Sequence, residues 1–594
     1  MGRIVFAAAA CAVLCFSGAA PARAADPRAR VDGEMDSSLR TAIVKAIGET
    51  DRPLLNRFEA RRRAREASED AVAVLRSEGY YGYEVIPDVG EGDAPTPVVK
   101  VTPGGRFVIA DPKVDWTAPE PSAPVRALGE AAMGLRDGAP GRAADVVAAE
   151  GRVVATVQKQ GYADVAAAPR EVIVDHADHT VRPTYRIVAG ELVRLGGLDL
   201  TGARGRTDPD WLRRLAPWRA GKVYDPEDVA ELERRLLDTG VYESVTVGLA
   251  PKQNTTTDGL RPIIVSLADR KRRTLEAGAS YSTSEGVGLD ARWTRYNVLG
   301  RADTQSLSGR LSNIDSRLAA EVALPHWRRP AQTLKLGAAA YSTRTDAYDE
   351  KGVGVRADLQ RRYGKTSYLT VGGSLDFSRT DERRPGTLTP LGRDLFAIAG
   401  LADLSLDRSD DPLNPRRGWR VGMRLEPTLL TGETTLPYLE TVALASVYLP
   451  LGEAARTVVA ARVRAGAMVG GSIPEIPASR RFFAGGGGSV RGYGYQAVGP
   501  RLSDNTPQGG VSLLETSFEV RHNLTRRWGV VAFVDAGAVG SDPYPSGKDL
   551  SVGAGFGVRY DLGFGPIRAD IAVPLEKRQG DAPFQIYISI GQSF

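Results

Sequence analysis

From Lys271 to Phe594 the chain is written in segments of about ten residues in which small or apolar side chains alternate with polar ones, separated by turn-rich stretches. A two-residue period sends successive side chains to opposite faces of a strand, so each segment presents one apolar and one polar face. The last segment, 584–594, places Phe584, Ile586, Ile588, Ile590 and Phe594 on one face and Gln585, Tyr587, Ser589, Gly591 and Ser593 on the other. Sixteen such segments can be marked, beginning with 274–283, and these 324 residues at about 20 per strand and connection give the same number. A soluble sandwich would have to bury one face and rarely sustains so many strands in one unit. A membrane-spanning antiparallel barrel, with its even strand number, lipid-facing apolar side and water-facing polar side, accommodates the pattern.

Nothing else in the chain offers a membrane span. The only long apolar run is Ile4 to Phe16, preceded by Arg3 and followed by the small-residue pattern Ala22-Arg23-Ala24, so residues 1–24 are expected to be a cleaved secretory signal. Cys11 and Cys15, the chain's two cysteines, both fall inside it. The remainder then has no disulfide, thiolate nucleophile or cysteine zinc ligand. With 77 basic against 72 acidic side chains, the charge is too balanced to indicate nucleic acid.

Between the signal and the barrel the pattern is different. Helical periodicity marks 37–47, 58–76, 142–160 and 226–238. Three of these helices end in similar phrases, Ser77-Glu78-Gly79-Tyr80, Lys159-Gln160-Gly161-Tyr162 and Asp238-Thr239-Gly240-Val241-Tyr242, each followed by a strand-like run. A glycine there suits the left-handed conformation that closes a helix, with the aromatic folding back on the last turn. Recurrence at about 80-residue intervals predicts three small α/β modules in series, at 25–105, 106–190 and 191–269, ahead of a barrel at 270–594.

No catalytic apparatus is visible, and we expect no enzyme, cofactor or metal. His176 and His179 stand on a predicted hairpin turn, without the helix and glutamate of a metalloprotease motif. His326 and His522 are isolated, and no serine lies in a nucleophile elbow. The glycines at 485–488, and Gly553 and Gly555, do not sit between a strand and a helix as a phosphate cradle requires.

The connection between the eleventh and twelfth predicted strands is unusually long, about 471–509, and contains Val490-Arg491-Gly492-Tyr493 after Arg481-Phe482-Phe483-Ala484 and four glycines. The thirteenth strand carries Phe533-Val534-Asp535-Ala536-Gly537. With these motifs the chain resembles the BamA/TamA superfamily of outer-membrane assembly and translocation proteins. Two further phrases are similar: Leu406-Asp407-Arg408 with Asp411 to Gly418, and Gly555 to Arg559 with Gly565 to Asp570.

The resemblance implies that the loop folds back into the lumen and that Arg491 meets Asp535. A guanidinium can hold a carboxylate there by two charge-assisted bonds, as lysine cannot. Reversing both charges is then expected to restore more function than either reversal alone. It implies that the modules are POTRA domains, whose number of three points to the TamA-like branch, and that Phe594 ends an outer-membrane insertion signal. It also implies a seam between the first and last strands, weakened by Gly278 and Gly591, at which a client strand bonds. The expected location is the bacterial outer membrane with the modules in the periplasm. The expected partners are outer-membrane lipid, client outer-membrane or autotransporter proteins, and a TamB-like periplasmic protein anchored in the inner membrane. The competing reading is a pore of the two-partner-secretion type or a lipid-transport conduit.

Overall fold

The computed structural model describes residues 26–594 apart from 51–53, 55, 91–94, 202–204, 365, 384–388, 433–434, 453–454, 564–565 and 591–594. The expected signal at 1–24, and Gly591 and Phe594 of the expected seam, lie outside the described residues. The chain forms two compact units, one running to residue 196 with 218–228 and 251–261, the other comprising 197–217, 229–250 and 262–594. The third expected module is therefore divided between them.

In the first unit, α1 (Ser37–Ile47) and α2 (Arg57–Ser77) pack on a three-stranded sheet whose central strand is Thr96–Thr102. Both helices start at a side-chain cap: the Asp36 carboxylate accepts from the Ser38 and Leu39 backbone N–H, and Asn56 accepts from Glu59. Leu39, Ile43, Ile47, Ala71 and Leu75 fill the helix–sheet interface with Val99 and Val101. A second helix pair, α3 (Ala123–Met133) and α4 (Ala143–Lys159), covers the sheet built around Thr180–Val188. The apolar rhythm of α3 is interrupted by Gly129, where a Cβ would stand 3.1 Å from the Trp116 ring and 3.3 Å from Val157, so close packing has displaced the apolar residue a periodicity search requires. Two more helices follow, α5 (Pro209–Leu215) in the second unit and α6 (Pro226–Leu237), which belongs to that unit from Val229 onward. Gly79, Gly161 and Gly240 of the three repeated phrases all have positive φ, at 90°, 101° and 70°.

The second unit is dominated by a closed antiparallel barrel of sixteen strands. They are β1 (Arg273–Ser282), β2 (Gly286–Tyr296), β3 (Thr304–Ser312), β4 (Asp315–Leu324), β5 (Gln332–Arg344), β6 (Tyr348–Tyr363), β7 (Ser367–Glu382) and β8 (Leu391–Asp407). The circuit continues with β9 (Gly418–Thr431), β10 (Leu436–Leu451), β11 (Thr457–Val469), β12 (Ser512–Asn523), β13 (Trp528–Gly540), β14 (Ser551–Asp561), β15 (Pro566–Pro574) and β16 (Gln585–Ile590). Ile588 and Ile590 are exposed on the outer face while Tyr587, of the opposite parity, is buried, as the alternation requires.

The wall is uneven. β6, β7, β8 and β10 have 16, 16, 17 and 16 residues, whereas β1 to β4 have 10, 11, 9 and 10, and β15 has 9. The short strands flank the closure. There, among the described residues, β1 and β16 pair only at Tyr281↔Ile588 and Ser282↔Tyr587, while β6 pairs along its whole length with β7. Thr283 extends the closure by one residue, donating its N–H to Ile586 O at 3.1 Å and accepting the Ile586 N–H on Oγ1 at 3.1 Å.

Two turns at the rim where β1 begins are bonded to α-helical parts of the same unit. Asn297 Nδ2 donates to Thr207 Oγ1 (2.7 Å), Asp208 N to Gly300 O (2.8 Å), and His326 Nε2 lies 2.8 Å from Arg235 O on α6. At the opposite, distal rim emerges the long loop that carries the site.

Candidate functional site: a loop locked inside the barrel

The loop joins β11 to β12 and turns inward. Phe482, Ala484, Val490, Tyr493 and Val498 are buried against Met468 of β11, Leu513 of β12 and Val539 of β13, so the loop has an apolar core of its own against one wall. At its tip Arg491 is 1% exposed and Asp535, on the inward face of β13, is fully buried.

The structure brings these two together. Arg491 Nε donates to Asp535 Oδ2 (2.6 Å), Nη2 to Oδ1 (2.9 Å), and the Arg491 backbone N–H to Oδ2 (3.1 Å). Each residue of the two motifs has a distinct role. Phe533 lies under the guanidinium, its ring centroid 3.4 Å from Arg491 Cζ. Gly537 leaves room for Val490, whose Cγ2 would stand 2.5 Å from a Cβ there. Gly492, with φ of +101°, passes so close to β15 that a Cβ would stand 2.7 Å from the Val573 backbone.

Asp535 is not the only carboxylate involved. Arg491 Nη2 is also 2.8 Å from Glu519 Oε1 of β12, and Nη1 is 3.3 Å from Asp570 Oδ2 of β15. Glu519 also binds Arg521 (2.8 Å), and Asp570 binds Arg559 of β14. Three guanidiniums and three carboxylates thus form one buried network across four strands. That corrects an expectation: exchanging the charges of residues 491 and 535 would place an aspartate at 491 against Glu519 and Asp570, so the reciprocal swap is not a clean restoration. Arg521 and Glu519 were not singled out in the sequence, although both are charged at inward positions of an alternating strand, the signal that would have found them.

Contacts on both arms also fix the loop. Near its start, Arg480 binds Asp376 (2.7 Å) and Glu350 (3.4 Å), and Glu382 accepts from the Ala478 N–H (2.8 Å) while Arg481 approaches it at 3.4 Å. On the returning arm, Arg501 binds Asp581 (2.6 Å) in the connection leading to β16, and Tyr493 Oη donates to Glu576 O (2.9 Å). The loop also touches both sides of the closure: Tyr587 Oη accepts the Gly492 N–H at 3.2 Å, and the Gly487 N–H donates to Glu285 Oε1 at 3.3 Å in the turn between β1 and β2.

The other residues marked in the sequence lie apart from this network. Gly278 sits in β1 opposite Asp290 of β2. Asp407 and Asp410 organise the β8–β9 turn by accepting backbone N–H groups of Ser409, Arg416 and Arg417. His176 and His179 flank the Phe107 ring edge-on at 5.2 and 4.9 Å.

Comparison with known proteins bears on the barrel most directly. Residues 297–594 match the Omp85 superfamily domain. The outer membrane protein assembly factor BamA of Neorickettsia risticii is 22% identical over 428 residues, 68% of this chain, and that of Neisseria meningitidis serogroup B is 22% identical over 475 residues, 70% of this chain. The chain spans 56% and 58% of the lengths of those two proteins. The crystal structure of BamA from Haemophilus ducreyi lacking POTRA domains 1–3 is similar in fold, with a TM-score of 0.67 at 18% identity, covering 82% of this chain and all of that one.

Proposed function

The chain belongs to the Omp85 superfamily, and from that premise we propose that it is an outer-membrane assembly factor that inserts or translocates client proteins through the β1–β16 closure. The observation that carries this reading is the closure itself. Two register pairs among the described residues hold an edge that elsewhere in the barrel is bonded over six to sixteen. A β1 edge freed of β16 presents unpaired backbone donors and acceptors to an incoming strand. In lipid each lost bond is costly, so the seam that opens is the one with fewest to lose.

The N-terminal modules act as POTRA domains in the periplasm. There they dock a client such as an autotransporter, or a TamB-like partner, and three of them fit the TamA-like branch. The lumen loop keeps the barrel from being a free pore while the seam works. The test is insertion of a radiolabelled outer-membrane client into liposomes containing the purified chain, with and without residues 26–269. Module-dependent insertion is expected; open-channel conductance without insertion would overturn the proposal. The alternative, a secretion pore or lipid conduit, draws on one observation: the lumen beside β3 to β6 is not filled by the loop and holds a polar cavity of about 690 Å3 lined by Arg292, Arg317, Glu321 and Arg356.

A further inference from the structure

On the outer face of the barrel, remote from the seam, the wall of β4 to β7 is hollowed into an apolar groove of about 490 Å3. Its floor is made by three methyl groups, Ala320, Ala338 and Ala340, and its sides by Leu318, Val355 and Phe377. Register places them on one surface: Ala320 pairs with Ala338, Leu318 with Ala340, and Ala338 with Val355. Leu318, Val355 and Phe377 are 56%, 52% and 56% exposed, so the groove faces the surrounding lipid and not the lumen.

One step toward the distal rim on the same face stand two cations. Val353 pairs with Phe377, and two residues further along the same ladder Lys351 pairs directly with Arg379. Like charges directly opposite each other on neighbouring strands repel. Arg379 reaches Asp394 at 3.3 Å and Asp381 at 4.0 Å, and Arg344 reaches Asp349 at 3.8 Å, whereas Lys351 makes no ion pair among the described residues. The apolar groove thus ends toward the distal rim in the opposed pair Lys351 and Arg379, where Arg379 is shared with Asp381 and Asp394 and the Lys351 ammonium is left without an ion-pair partner among the described residues. Anionic headgroups are attracted to basic residues so placed.

We propose that this face is a binding site for a phosphorylated lipid, with the phosphate between Lys351 and Arg379 and one acyl chain lying along Ala320, Ala338 and Ala340. The orientation given above assigns that lipid to the outer leaflet; the site itself does not depend on the insertion activity. Bound there, the lipid grips the tall β5–β7 wall, away from the short strands beside the closure.

The test is native mass spectrometry of the full chain in detergent with a bisphosphorylated, multiply acylated glucosamine disaccharide lipid. The comparisons are its dephosphorylated form and inorganic phosphate in large excess. Lys351→Gln with Arg379→Gln removes the charge, and Ala338→Leu with Ala340→Leu fills the groove. Both change only lipid-facing side chains, and heat-modified gel mobility verifies that the barrels are folded. Each double variant is expected to hold the lipid at least about tenfold more weakly, the dephosphorylated form to bind poorly, and inorganic phosphate not to displace it. Equal binding by all proteins overturns the proposal. So does displacement by phosphate alone, or loss in the charge variant with full retention in the groove-filled one. Client insertion, measured separately, tells failure of this site from failure of the assembly reading.

Discussion

Replacing Arg491 by alanine should release the loop from the wall without unfolding the barrel. The side chain lies at 1% exposure among three carboxylates at 2.6, 2.8 and 3.3 Å and over the Phe533 ring. Removing one partner of a buried ion pair costs about 3–5 kcal/mol. Water in the lumen can rehydrate Asp535 and Glu519 once the tip lifts, so the low end applies, about 3 kcal/mol or roughly two orders of magnitude in the docking equilibrium. The barrel ladder is untouched and the Arg480 and Arg501 attachments remain. Hydrogen exchange of the backbone amides at 489–495 in the folded chain should therefore accelerate about a hundredfold, while amides of β12 and β13 keep their protection. Lysine at 491, with one charge but no fork, should fall between. The exchange of Arg491→Asp with Asp535→Arg should not restore protection, because Glu519 and Asp570 stay in place. Unchanged exchange at 489–495 in Arg491→Ala would show that the apolar contacts alone hold the loop and would refute the reasoning.

Two further outcomes follow from the geometry. A Cβ on Gly553 would lie 1.9 Å from the Arg491 carbonyl oxygen, whereas one on Gly488 meets nothing within 4 Å. Alanine at 553 should therefore expose the loop to protease and alanine at 488 should not, and equal cleavage of the two variants would contradict the fit. At the junction with α6, His326 Nδ1 accepts the Ala331 N–H (3.1 Å), which leaves the proton on Nε2 to donate to Arg235 O. Burial, with Arg235 and Arg362 nearby and Asp238 opposing them, holds the imidazole below its usual 6.5. The folded form then binds fewer protons than the unfolded one, so this contact contributes fully above pH 6.5 and is lost as pH falls below it. Exchange of the Ala331 amide, corrected for its intrinsic pH dependence, should quicken on acidification in the native chain and stay level in His326→Gln; identical profiles would sink the assignment.

The barrel was legible because a two-residue alternation cannot be written without fixing a strand and its inward face. The strand expected to carry Phe533 to Gly537 is β13, and 274–283 lies within one residue of β1. The misses have a common cause. β6, β7 and β8 each run on past their apolar alternation at the distal end, through Tyr348 to Lys351, Arg379 to Glu382 and Leu391 to Asp394, where, Gly392 apart, the outward residues are charged. Helix α3 escaped because Gly129 replaces an apolar side chain at its tightest contact. Arg491 and Asp535 were found together because each sits in a recognisable motif. Glu519, Arg521 and Arg480 carry comparable contacts without one, and only the parity of their strand or the curvature of the loop brings each to its partners.

The central claim, that clients pass through the β1–β16 closure, is tested most directly by locking it. Tyr281 and Ile588 are register partners across the seam, and the chain's only other cysteines are Cys11 and Cys15. Insertion of an outer-membrane client into liposomes by the Tyr281→Cys, Ile588→Cys chain should fall to the protein-free rate when oxidised and recover on reduction. Insertion at the same rate in both states would contradict the account.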